Sequence, residues 1–178
     1  MEGAVKKDFA YADLARDVAP DYGLDPDLVI ALCMVESSGN PYAWNPEPSY
    51  RYYWDVKRNA PFRAVSDHER AAEFPPADFP CLVGDPDQEW WAQAASWGLM
   101  QVMGAVAREQ GFFGPYLTEL CDPRVNLCHG CTALKGHLTW AKGDVRVALA
   151  AYNAGRGGAH SPVGQKYADK ILALVEAA

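Results

Sequence analysis

Seven prolines fall between residues 41 and 85: Pro41, Pro46, Pro48, Pro61, Pro75, Pro76 and Pro80. Proline lacks an N–H and its ring clashes with the preceding turn, so no long helix can cross this stretch. The same stretch holds a dense aromatic set, namely Tyr42, Trp44, Tyr50, Tyr52, Tyr53, Trp54, Phe62, Phe74 and Phe79. That much ring surface argues against disorder. Residues 41–85 therefore read as an ordered excursion, with short helices near 50–56 and 67–73 and a small hairpin. Almost no other stretch alternates with period two, so the fold class is mostly α.

The helices outside the excursion announce themselves by their ends. Residues 9–21 form an amphipathic helix with Phe9, Leu14 and Val18 on one face. Asp25 and Pro26 suit the N-cap and first helical position of the next helix. Further helices are expected over 86–96, 99–110 and 123–141, then after Asp144, and finally from Ser161-Pro162 to about 176. The Gly155–Gly158 run reads as a flexible loop. Tyr167, Ile171, Leu172 and Val175 are the inward positions of the last helix.

A chain of 178 residues with 49% hydrophobic content fits one globular domain, 1–178, with a proper core. A formal charge of −7 argues against nucleic acid held through its phosphates. It also argues against unaided attraction to anionic cell surfaces. No apolar run reaches the roughly 18 residues that a membrane span needs. The start, Met1-Glu-Gly-Ala-Val-Lys-Lys, lacks the basic-then-apolar pattern of a secretory signal. The five cysteines, an odd count, give poor support for a disulfide framework. Cys128-His-Gly-Cys131 with Cys121 upstream invites a zinc reading. Small buried thiols inside a helix are the preferred one, and neither a metal nor a cofactor is expected.

One acid stands out. Leu28, Ile30, Ala31, Leu32, Met34 and Val35 cover much of a helix circumference, so that helix is mostly buried. Glu36 follows in its last turn, before the break at Gly39-Asn40-Pro41. A carboxyl group at the edge of a cavity is desolvated, which favours its neutral form and suits a general acid. A solvated acid at a helix end is the alternative.

Glu36-Ser37-Ser38-Gly39-Asn40-Pro41, Gly98-Leu-Met-Gln-Val-Met103 and Ala150-Ala-Tyr-Asn-Ala-Gly155 occur in that order. Two weaker stretches join them: Asp122-Pro-Arg-Val-Asn126 with Gly130, and Gln165-Lys-Tyr-Ala-Asp-Lys-Ile171. Together they resemble the lytic transglycosylases of the soluble-lytic-transglycosylase type with the goose-type lysozyme fold. The resemblance runs from about residue 20 to the C-terminus, with 41–85 as an insertion beside the cleft.

The resemblance implies a lysozyme-like helical domain that cleaves the N-acetylmuramic acid–N-acetylglucosamine bond of peptidoglycan glycan strands. Glu36 would be the single general acid and base, and the sugar's own C6 hydroxyl the nucleophile. Gln101 and Met103 match sugar-binding positions, and Tyr152 matches a tyrosine that hydrogen-bonds the acid. Tyr167 is placed in the cleft or the core, Ser37 at the helix end, and Asn153 at the Ala154-Gly155 loop. The pattern departs at Ala92, where many members have serine, and at Gly39, where an aromatic residue is common. Trp44, Tyr52, Tyr53 and Trp54 are candidate sugar platforms or the insertion's own small core. A phage enzyme is expected, made in the host cytoplasm and acting in the cell wall or periplasm, with other phage particle proteins as further partners. Two alternatives stay open. One is a hydrolysing muramidase using Glu47, Asp55, Asp67 or Glu73 as a second acid. The other is an inactive wall-binding or structural virion protein.

Overall fold

The computed structural model describes residues 9–177; residues 1–8, which include the start read above for a secretory signal, lie outside the described residues. The described chain forms helices α1 (Ala12–Val18), α2 (Pro26–Ser37), α3 (Asp67–Ala71), α4 (Pro86–Gln93), α5 (Gly104–Glu109), α6 (Pro123–Trp140), α7 (Val145–Gly158) and α8 (Pro162–Glu176). Short strands are β1 (Trp44–Pro46), β2 (Trp54–Asp55), β3 (Ala60–Pro61), β4 (Ala95–Trp97) and β5 (Val102–Met103). None of the described helices is long and apolar enough to cross a membrane. The chain divides into two compact units, residues 1–40 with 127–178, and residues 41–126.

In the first unit, α7 and α8 pack on each other, and α2 packs on α8 and α1. Ile30, Leu32, Leu134, Leu149 and Ile171 are its fully buried centre. The caps are those the residue types dictate. The Asp25 carboxylate accepts from Asp27 N–H at 2.9 Å, the Asp144 carboxylate from Val147 N–H at 3.0 Å, and the Ser161 hydroxyl from Gly164 N–H at 3.1 Å. α1 is shorter than the expected 9–21, because Pro20 lies in a 3-10 turn over Ala19–Tyr22. The expected loop at 155–158 is instead helical: α7 kinks at Gly155 (φ 69°, ψ 166°) and runs on to Gly158.

The second unit takes in the whole proline-rich stretch together with residues 86–126. Its core is aromatic. Tyr53 stacks on Trp90 at 3.8 Å between centroids with the rings 4° from parallel, and Phe79 meets both rings edge-on. β2 and β3 form the expected hairpin, in place of the helix expected near 50–56. A second sheet orders β1, β4 and β5 antiparallel, with Trp44 opposite Trp97 and Ser96 opposite Met103.

That sheet corrects two helix expectations. The helix expected over 86–96 stops at Gln93, because Ala95–Trp97 pairs as a strand. The helix expected over 99–110 begins only at Gly104. Gly98 to Gln101 are the turn joining β4 to β5, with φ of 71° at Gly98 and 48° at Gln101, left-handed values no α-helix accepts.

Candidate active site

α2 carries Glu36 into its last turn. Leu28 to Cys33 are consecutively buried, so the helix is enclosed on nearly every side and its C-terminal acid is drawn partly out of water. The helix ends in two left-handed residues, Ser38 (φ 54°) and Gly39 (φ 77°). A Cβ at residue 39 would stand 2.9 Å from the Phe9 ring. Phe9, itself buried, thus occupies the space where a side chain at 39 would begin.

Glu36 is half-buried, and its carboxyl is held above its ordinary value of 4.5. Burial is the main cause; a hydrogen bond from Tyr167 and the charge of Lys170 oppose it without cancelling it. The Tyr167 hydroxyl, from α8, donates to Glu36 Oε1. Tyr152, from α7, is half-buried with its hydroxyl pushed well up, first by burial and then by the nearby charge of Glu36. α2 and the consecutive helices α7 and α8, far from it in sequence, therefore bring Glu36, Tyr152 and Tyr167 together in the first unit. Tyr167, which sequence left between cleft and core, supplies a hydrogen bond to the acid.

The other residues of the first unit are placed more plainly. The Ser37 hydroxyl donates back to the Cys33 carbonyl at 3.0 Å, within its own helix. Asn153 is exposed on α7, where the backbone of Gly155 makes the kink. The cysteines are unbridged; Cys33 and Cys131 are buried, and burial pushes the Cys131 thiol up to about 12. Among the described residues no cluster of histidine, cysteine and acidic side chains is placed to hold a metal ion.

In the second unit, Gln101 and Met103 sit on the β4–β5 hairpin, both half-buried. The Gln101 amide is held on three sides. Its Nε2 donates to the carbonyls of Gly98 at 3.0 Å and Ala43 at 3.2 Å, and its Oε1 accepts from Ser96 Oγ at 2.8 Å. One lone-pair direction of Oε1 is left, so the side chain is oriented by its own unit before any ligand arrives. Ser96 is a residue the motif reading missed. Only strand pairing, which sets Ser96 beside Met103, brings it there.

Asn126 was part of a weak motif, and the structure gives it a specific task. Fully buried, it accepts from Met100 N–H at 2.8 Å and donates to the carbonyls of Trp97 at 2.7 Å and Leu120 at 2.9 Å. It pins both sides of the Gly98–Gln101 turn. Gly98 is required there: a Cβ would stand 2.3 Å from Asn126 Nδ2. Ala92 is buried, and its carbonyl accepts from Trp97 Nε1 at 2.9 Å. The aromatic residues of the 41–85 stretch divide between roles. Tyr53 is core, whereas Trp44 and Tyr52 are exposed.

A model of the family described as the Transglycosylase SLT domain matches residues 13–175. The chain belongs to the transglycosylase SLT family. A comparison with curated proteins gives no match. Membership bears out the mostly α, lysozyme-like fold expected from sequence, and it supports peptidoglycan lytic transglycosylase activity in general. The match spans both units of this SLT domain, so the proline-rich stretch lies within the family region.

Proposed function

We propose that this SLT domain is a lytic transglycosylase of the soluble-lytic-transglycosylase type, with Glu36 as its single general acid and base. The observation that carries the reading is the state of Glu36. Its carboxyl is desolvated enough to stay protonated above the ordinary range, and its Oε1 is held by Tyr167. Oε2 is then the oxygen that delivers the proton to the glycosidic oxygen between N-acetylmuramic acid and N-acetylglucosamine. The C1–O bond breaks, and the neighbouring N-acetyl group steadies the cationic centre. The resulting Glu36 carboxylate takes the proton of the C6 hydroxyl as that oxygen closes on C1. Glu36 ends protonated, and no water is consumed.

Tyr167 and Tyr152 position the acid in this scheme. Gln101, with one lone pair left, accepts from a sugar hydroxyl or acetamido N–H, and Met103 lends an apolar wall. A hydrolysing enzyme would need a second carboxylate to hold a water. Three of the four candidate acids, Asp55, Asp67 and Glu47, are already engaged. Asp55 is buried and accepts from Arg58 Nε at 2.5 Å and from the Lys57 and Arg58 N–H groups. Asp67 is paired with Arg70 at 2.9 Å, and Glu47 accepts from Asn45 Nδ2 at 2.6 Å.

The test is the product. A digest of purified cell wall, read by mass spectrometry, is expected to give muropeptides ending in 1,6-anhydro-N-acetylmuramic acid, one water lighter than hydrolysis products. Reducing-end muramic acid as the main product would replace this reading with a muramidase. No released muropeptides at all would point to a wall-binding protein.

A further inference from the structure

The second unit carries an open pocket of about 500 Å³, built from residues of the 51–65 stretch and Glu109. Tyr52, 77% exposed, and Trp54, half-buried, give it aromatic faces; Pro61 adds an apolar side. Its size falls in the ordinary range of small-ligand sites, roughly 300–1,000 Å³.

Two features make this more than a surface hollow. First, its aromatic wall is held from behind. Gln93, fully buried, accepts from Trp54 N–H at 2.8 Å and donates to the Trp54 carbonyl at 3.0 Å. The same Gln93 amide donates to Glu89 Oε1 at 2.9 Å, and Glu89 takes a two-point bond from Arg108 at 2.9 and 2.8 Å. A buried ion pair contributes little net stability by itself. This one fixes a glutamine that clamps both backbone polar groups of Trp54. Second, the two arginines of the pocket differ. Arg63 is spent on Asp78 and Glu69, each at 2.7 Å. Arg51 has Asp67 only at 3.7 Å, and that carboxylate is taken by Arg70 at 2.9 Å. The Arg51 guanidinium therefore has donors to offer, while Glu109 offers an acceptor.

A Trp54 face on a clamped backbone, an exposed Tyr52 ring beside it, one donor and one acceptor match a pyranose, whose ring faces are apolar C–H surfaces and whose edge is polar. We infer that this pocket is a glycan-holding site that takes an N-acetylated amino-sugar unit of the wall strand. The ring stacks on Tyr52 and Trp54, with Arg51 and Glu109 on its polar edge. The choice of glycan as occupant rests on the function proposed above.

The experiment follows the indole N–H signal of Trp54 in ¹⁵N-labelled full-length Glu36→Gln protein, the signal being assigned by its loss in Trp54→Phe. Chitotetraose is titrated in, and separately a synthetic stem peptide. The Trp54 signal is expected to shift and saturate with chitotetraose. Tyr52→Ala, a change at an exposed side chain, should raise the apparent Kd at that signal by about fivefold or more. Arg51→Gln should raise it too. A Trp54 signal that never moves, that moves only with the peptide, or that titrates unchanged in both variants would overturn the inference. Those outcomes leave the product of the wild-type digest untouched. Conversely, a reducing-end product would overturn the proposed function without altering the Trp54 titration.

Discussion

The hydroxyl of Tyr167 on α8 donates a hydrogen bond to Oε1 of Glu36 on α2, across 131 positions of sequence. This bond favours the charged carboxylate, so it opposes the burial that raises the Glu36 pKa. Tyr167→Phe should raise that pKa further. In a pH–rate profile of wall clearing, the alkaline limb reports loss of the protonated acid, and it should move to higher pH. The rate at the optimum should fall by about one to two decades, since a hydrogen bond to a charged group contributes roughly 1.5–3 kcal/mol. Tyr152→Phe should also slow clearing, but less than loss of Glu36 does. An unmoved limb in Tyr167→Phe would mean that the bond does not tune the acid.

Glu36→Gln should reduce wall clearing by on the order of 10²–10⁴, because one group performs both proton transfers. The same change should alter stability against pH in a defined sense. With its folded pKa above the ordinary 4.5, Glu36 binds more protons folded than unfolded in the interval between the two values. Wild-type stability therefore drops as pH rises from 4.5 through the folded pKa, and the glutamine variant lacks that term. Melting curves at a series of pH values should show the variant gaining on wild type across that window and holding the gain above it. A constant difference at all pH values would show that Glu36 is not desolvated.

Asn126→Ala should loosen the Gly98–Gln101 turn. The change withdraws one acceptor and two donated bonds from buried backbone groups. Such losses cost about 1–3 kcal/mol each when nothing replaces them. Urea unfolding should show a drop of at least about 2 kcal/mol, and amide exchange at Met100 should quicken. Wild-type exchange there would mean that the turn holds itself.

Asp55→Asn should affect stability and leave the product unchanged. Burial raises the Asp55 pKa, but the hydrogen bonds from Arg58 and Lys57 outweigh it and hold the carboxyl below its ordinary 3.8. A depressed pKa means stability that is present above 3.8 and lost as pH falls through the folded value. The variant should thus melt lower than wild type near neutrality, with the gap closing in acid. Its digest should still end in the anhydro sugar; a switch of product would make Asp55 a participant in the chemistry.

Local chemistry by itself determined the helix ends. Asp25-Pro26, Asp144 and Ser161-Pro162 start helices because each cap is satisfied by backbone two or three residues away, whatever the rest of the chain does. The proline load of 41–85 likewise ruled out long helices from residue type alone, and an apolar run ending in one acid marked Glu36. Tertiary structure decided the rest. Gly98-Leu-Met-Gln101 has the composition of a helix start, yet it is a hairpin turn because β4 finds β1 as a partner 51 positions away and Asn126 claims Met100 N–H. Local propensity of a few tenths of a kcal/mol per residue does not outweigh such pairing. The choice between Tyr152 and Tyr167 as donor to Glu36 was also closed to sequence. Both are aromatic hydroxyls on C-terminal helices near the same acid, and the packing of α8 on α2 brings the Tyr167 hydroxyl to Oε1.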